Sequence, residues 1–335
     1  MTGALLINLG TPTAPEPGPV AKYLREFLMD PLVIDIPYLF RWFLVNVLII
    51  PRRSKASADL YKKIWGGRGS PLLYFSQDLT LRVQEILGPS FAVELAMRYG
   101  EPSIPHAIER LKKKGATKFV VLPLYPQYSL AATESSIAKV SEFTQEARFI
   151  PPFYSQEAYL DAVEQVSKGP LAAAQADRVL FSFHGLPEPH IKKTDFSGGA
   201  HCTFDEKCCA AILEANQSCY RAQCFATADS LAKRLGIPKE KYHICFQSRL
   251  NEKWIKPYTD TFYRELPKQG VKRLAVLCPS FVADCLETLE EVAIRGQDEF
   301  RRHGGDEVTL IPSLNADEVW AQAVSGFFRN HQPRT

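Results

Sequence analysis

A histidine closes the run Val-Leu-Phe-Ser-Phe-His-Gly-Leu-Pro at 179–187. An imidazole at a strand terminus, next to Gly185 and Pro187, is held by a rigid turn, and its ordinary pKa of about 6.5 suits proton transfer at neutral pH. A structural histidine satisfied by backbone bonds is the plainer reading, but the position favours function and makes His184 the first catalytic candidate. The run Cys-Pro-Ser-Phe-Val-Ala-Asp-Cys-Leu-Glu-Thr-Leu-Glu-Glu at 278–291 turns from a strand into an acidic helix start. Dipole complementation and solvation account for Glu290 and Glu291. Asp284 and Glu287 are three apart, hence on one helix face, and could jointly offer oxygen ligands or proton acceptors.

Five of the eight cysteines, Cys202, Cys208, Cys209, Cys219 and Cys224, fall within residues 202–224. The N-terminus lacks a basic segment followed by a long apolar one, so no export signal is read and a reducing cytoplasm is expected. Thiols that dense in such a compartment point to metal rather than disulfides, either a structural zinc or a [2Fe–2S] cluster, with one of the adjacent Cys208 and Cys209 as the spare. Cys245, Cys278 and Cys285 lie in or just after apolar runs and read as packing. Gly-Gly-Arg-Gly-Ser-Pro at 66–71 has neither the ending of a P-loop nor the glycine spacing of a dinucleotide site, and no nucleophile elbow or zinc-protease helix occurs.

The elements that must position these groups alternate between apolar runs and amphipathic segments, which predicts an α/β fold with mostly parallel strands. Strands are expected at 4–9, 91–96, 119–124, 179–183, 242–246, 274–278 and 308–311, with helices including 102–114, 134–146, 225–235 and 286–302. Beyond the carboxyl ends of such strands, where ligands bind in open parallel sheets, stand Arg98, Tyr99, Tyr125, Gln127, His184, Gln247, Ser280, Asp284 and Glu287. Residues 111–123 echo 266–278, each ending a helix at glycine and launching a strand, which suggests two similar halves divided near Pro151-Pro152-Phe153. With 40 basic and 37 acidic residues spread along 335, no field favours nucleic acid. The apolar stretch 34–50, interrupted by Asp35, Pro37 and Arg41, is too broken to span a bilayer and reads either as a buried helix or as an apolar lip flanked by Arg52 and Arg53.

Several segments in order resemble the ferrochelatases: Leu-Ile-Asn-Leu-Gly-Thr-Pro (6–12), Met-Arg-Tyr-Gly (97–100), Leu-Tyr-Pro-Gln-Tyr-Ser (124–129), Ser-Phe-His-Gly-Leu-Pro (182–187), Phe-Gln-Ser-Arg (246–249) and Pro-Ser-Phe-Val-Ala-Asp-Cys-Leu-Glu-Thr-Leu-Glu-Glu (279–291). The resemblance covers nearly the whole chain. It implies two Rossmann-like halves, residues 1–155 and 156–335, each a four-stranded parallel sheet flanked by helices, around a porphyrin cleft. It further implies insertion of ferrous iron into protoporphyrin IX, His184 and Glu287 as the paired metal-site residues, and Leu9, Arg53, Tyr61, Ser70, Tyr125 and Trp254 about the porphyrin. Some members of the family carry [2Fe–2S] clusters, a part of them with the cysteines in an internal segment like this one, and the apolar stretch corresponds to a lip near which the membrane is touched. Cys285 stands where many relatives have histidine, and the loop 250–254 is one residue shorter than usual and lacks its glycine.

The chemistry expected is loss of two pyrrole protons from a macrocycle held bent, with neutral His184 accepting one and Glu287, supported by Asp284, exporting protons or passing iron. The alternatives are a chelatase for another metal or for coproporphyrin, and a non-catalytic tetrapyrrole carrier or redox sensor.

Overall fold

Among the described residues eight strands form where apolar residues run without a polar alternation. In the first unit these are β1 (Thr2–Gly10), β2 (Phe91–Tyr99), β3 (Lys118–Pro123) and β4 (Ala147–Phe149), all parallel in the order β2-β1-β3-β4. β1 is buried along almost its whole length because helices cover both faces, the usual reason a parallel strand reads as a continuous apolar run. The computed structural model describes residues 1–205 and 207–332, and its contacts divide these into two units. The first holds residues 1–125, 130–151 and the chain from 315 onward, the second residues 126–129 and 152–314.

The helices of the first unit are α1 (Pro17–Leu28), α2 (Tyr38–Phe43), α3 (Ile50–Ile64), α4 (Pro71–Leu87), α5 (Ile104–Lys113) and α6 (Ser135–Ser141). Leu5, Ile7, Ile108, Leu111, Phe119 and Val121 form the core between sheet and α5. Each such side chain contributes about 1.5–3 kcal/mol relative to exposure. A buried carboxylate fixes the approach to α2: Asp30 accepts from Arg98 at 2.5 Å, Tyr99 at 2.9 Å and Ser135 at 2.6 Å.

Over α2 and the π-helical turn Leu44–Ile49 the usual burial is inverted. Tyr38, Leu39, Phe40, Trp42, Phe43 and Val47 are exposed, Leu39 at 79%, whereas Arg41 is buried and donates to the carbonyls of Ile34 and Ile36. Of the two readings of this stretch, the buried helix is thereby excluded. No described helix is long and apolar enough to cross a membrane.

The second unit repeats the arrangement with β5 (Arg178–His184), β6 (Tyr242–Gln247), β7 (Arg273–Leu277) and β8 (Glu307–Leu310) in the order β6-β5-β7-β8, again all parallel. Its helices are α7 (Glu157–Ala174), α8 (Glu188–Lys192), α9 (Tyr220–Arg234), α10 (Thr259–Glu265), α11 (Leu286–Thr288) and α12 (Gln297–Arg302). Leu180, Leu266, Leu274, Val276, Val292 and Phe300 lead its core. The chain then returns to the first unit with α13 (Glu318–His331).

All seven expected strands are present. The eighth, β4, is three residues long with Arg148 exposed, too short and too polar to stand out. The helix expected over 286–302 is interrupted by the π-helical turn Leu289–Gly296, and the one expected from 225 already starts at Tyr220.

Candidate active site and cysteine-rich insertion

β5 ends on His184, which lies opposite Gln247 of β6 in the parallel register. The ring is oriented by its own turn. Nδ1 stands 2.6 Å from the carbonyl oxygen of Gly185, and since a carbonyl only accepts, Nδ1 carries the proton and Nε2 keeps its lone pair in the neutral ring. The rings of Trp254 and Phe281 flank the imidazole, each with its centroid 6.2 Å away. Glycine is required at 185, because a Cβ there would meet the Gln247 carbonyl oxygen at 2.7 Å and the Trp254 ring at 3.2 Å.

Gln247 connects this strand end to the acidic helix. It is buried, accepts from Ser182 at 2.7 Å through its side-chain oxygen, and donates through Nε2 to the main-chain carbonyl of Glu287 at 2.7 Å. The strand bearing His184 and the helix bearing Glu287 are thus tied by one amide. Cys285 caps that helix in an extended conformation, with its N–H donating to Thr288 Oγ1 at 3.0 Å. Its thiol is held well above the ordinary range by burial and by the Glu287 carboxylate, so it stays protonated and serves as a donor beside Glu287.

Two expectations change here. Asp284 does not share a helix face with Glu287, because it precedes the cap at Cys285; it is buried, and its Oδ1 accepts from Thr288 Oγ1 at 3.0 Å and from the Ser313 N–H at 3.4 Å. Glu290 and Glu291 are not solvated. Glu290 is 1% exposed and paired with Arg295, and Glu291 accepts from the N–H and hydroxyl of Ser248 at 2.8 and 2.5 Å. Burial pushes the Glu291 carboxyl up, and the neighbouring Glu287 charge adds to the effect.

A family model described as Ferrochelatase matches residues 1–332. The chain belongs to the ferrochelatase family. It is 47% identical to a ferrochelatase of Coxiella burnetii (strain Dugway 5J108-111) over 96% of this chain and 92% of the relative, and 44% identical to one of Pseudomonas fluorescens (strain SBW25) over 96% and 95%. It is 41% identical to that of Bdellovibrio bacteriovorus over 98% of both chains. Among solved structures, SirB from Bacillus subtilis with Fe3+ matches with TM-score 0.50 at 18% identity, covering 78% of this chain and 92% of that one. CbiX, the terminal enzyme for biosynthesis of siroheme in denitrifying bacteria, matches with TM-score 0.50 at 12% identity over 99% of both. These two likenesses establish the chelatase fold. A ferrochelatase is a lyase that inserts ferrous iron into protoporphyrin in haem synthesis, and that is the activity of this chain.

The other residues that the family resemblance implies fall in the first unit, apart from Trp254. Leu9 is partly exposed near the end of β1, and Arg53 is exposed on α3. Tyr61 is buried edge-on to Trp65 at 6.1 Å. Ser70, which precedes α4, accepts from Thr11 Oγ1 at 2.8 Å. The Tyr125 hydroxyl stands 3.4 Å from that of Ser136, and burial raises its phenol.

In the insertion the sulfurs of Cys208 and Cys209 are 3.8 Å apart, and Arg221 Nη1 donates to the Cys209 sulfur at 3.0 Å. A hydrogen bond from Cys209 to Cys219 holds the first thiol up and the second down. Cys202 interacts electrostatically with Cys208, Cys209 and Cys219. Cys224 lies deeper, fully buried on α9 against the Tyr220 phenol. Among the described residues no three His, Cys, Asp or Glu side chains stand at the spacing of a single-ion site. Thiolates gathered this closely repel one another, and the arginine donor on the Cys209 sulfur offsets part of that charge. His201 lies beside this set, its Nε2 2.9 Å from the Cys208 carbonyl oxygen. Sequence reasoning missed Tyr220 and the tie made by Gln247, since both act through contacts distant along the chain.

Proposed function

We propose that His184 Nε2 accepts the first pyrrole proton and that the Glu287 carboxylate takes the second or passes the iron, with Asp284 steadying the cap in front of it. The balance is simple: two N–H bonds break, two protons leave, and Fe2+ takes their place between four nitrogens with no net change of charge. The locked tautomer carries this reading, because it leaves the acceptor lone pair on the nitrogen away from the turn. The amide of Gln247 supports it by tying the acceptor's strand to the carboxylate's helix. Leu9, Arg53, Tyr61, Ser70 and Tyr125 from residues 1–155, and Trp254 from 156–335, are read as porphyrin contacts that hold the macrocycle bent toward the transition state. Glu287→Gln keeps the helix and its carbonyl but loses the charge. Haem formation from anaerobic Fe2+ and protoporphyrin is expected to fall by about 10²-fold or more in kcat, with porphyrin affinity retained. Turnover within a few-fold of the parent enzyme counts against the carboxylate.

The insertion is read as the holder of a [2Fe–2S] cluster, with Cys202, Cys208, Cys209 and Cys219 as the four thiolates and the buried Cys224, rather than one of the adjacent pair, as the spare. When bound, the cluster supplies a covalent cross-link and a one-electron centre. The purified protein is expected to be coloured, with about two irons and two labile sulfides per chain. Cys224→Ser is expected to keep them and Cys219→Ser to lose them, whereas colourless protein with one zinc contradicts the assignment. We read the protein as cytoplasmic, with the exposed apolar face of α2 as a peripheral membrane contact.

A further inference from the structure

The peptide that follows the His184 ring is held from outside the sheet. β7 leaves the ladder at Leu277, opposite Phe181, so the last three residues of β5 have no β7 partner. Side chains take over there. The His184 N–H donates to Ser280 Oγ at 3.2 Å, and its carbonyl accepts the Tyr220 hydroxyl at 2.9 Å. The other end of the same peptide, the Gly185 N–H, donates to the Gln247 carbonyl at 2.7 Å. Ser280 and Cys224 both lie beside the Tyr220 phenol, so the two side chains that hold His184 are neighbours.

Tyr220 is the first residue of α9, and its neighbours face the thiols. Cys219 caps the helix and bonds with Cys209, while Arg221 donates to the Cys209 sulfur at 3.0 Å and to the Asp205 carbonyl at 2.8 Å. Three successive residues therefore bridge the insertion to the acceptor. We infer that Tyr220 is a positioning residue for His184, through which the cysteine-rich insertion holds the imidazole in its reactive orientation. The inference rests on His184 being the proton acceptor. The physical step is short: the ring is anchored on the carbonyl of Gly185, the residue whose N–H closes the 184–185 peptide, so a displacement of that peptide shifts the Gly185 backbone and with it the anchor of the ring. Without the phenol hydroxyl, the His184 carbonyl loses its donor in a partly buried setting, and among the described residues the remaining hold on that peptide is from β6.

Tyr220→Phe, made in the full chain beside His184→Ala, tests this. Haem formation is expected to drop roughly tenfold in kcat, the worth of one hydrogen bond, while protoporphyrin affinity measured by fluorescence without metal and the visible spectrum of the cysteine site stay unchanged. In ¹⁵N-histidine-labelled protein the His184 Nδ1–H is expected to exchange with solvent several-fold faster than in the parent. Unchanged kcat and exchange, with His184→Ala inactive, overturn the clamp alone. Near-parental turnover in His184→Ala overturns the acceptor and the clamp with it. If Tyr220→Phe does not fold, Arg221→Lys, which loosens the insertion but leaves the phenol, is expected to speed the same exchange, and no change there overturns the proposal.

Discussion

The proton on His184 Nδ1 has its partner in the Gly185 carbonyl, and this one bond leaves Nε2 as the nitrogen with the lone pair in the neutral ring. At Glu291 the residue scale gives a prediction with a sign. Burial raises this carboxyl above its ordinary 4.5, so between that value and the folded one the native state binds the extra proton. Stability contributed by Glu291 is therefore full in acid and declines as pH rises above 4.5. Glu291→Gln can still accept the Ser248 N–H and removes the penalty. Its Tm should exceed the parent's at pH 8 and converge with it in acid, as read by scanning calorimetry; a lower Tm at pH 8 contradicts the assignment. The Arg295 partner does not reverse this, since the pair at 3.8 Å is half-exposed on the arginine side and such pairs are worth about 0–1 kcal/mol. The strand end at His184 and the helix start at Glu287 were legible because both are written in local pattern. Asp284 was misplaced because helical spacing was extended through a cap that sits at Cys285.

At the scale of elements, α2 turns its apolar residues outward and its arginine inward, an exposed apolar patch of the kind that marks an interaction surface. A bilayer with anionic headgroups suits the rings together with Arg52 and Arg53. Phe40→Asp is expected to weaken binding to phosphatidylglycerol vesicles by about tenfold or more, the worth of one buried aromatic ring. Unchanged co-sedimentation removes the membrane from the account. The sequence could not choose between core and lip here, because composition is the same for both and only the partner surface differs. The start of α9 and the π-helical turn Leu289–Gly296 were hidden for a related reason: both are set by tertiary contacts, Tyr220 on His184 and Gly296 under Tyr263, that no helical period records.

On the scale of the whole molecule, two sheets with the same strand order, β2-β1-β3-β4 and β6-β5-β7-β8, explain the echo between residues 111–123 and 266–278. In each unit the repeated segment leads into the third strand of the sheet. The fold was legible because its strands are buried on both faces and so stand out as apolar runs, with the short edge strand β4 as the exception. Family membership then brings the chemistry, insertion of ferrous iron into protoporphyrin. The most direct trial is anaerobic mixing of Fe2+ and protoporphyrin with His184→Ala, followed by haem absorbance. A loss of about 10²–10⁴-fold in kcat is expected, with porphyrin still bound as tightly as by the parent. Turnover within about tenfold of the parent would contradict it.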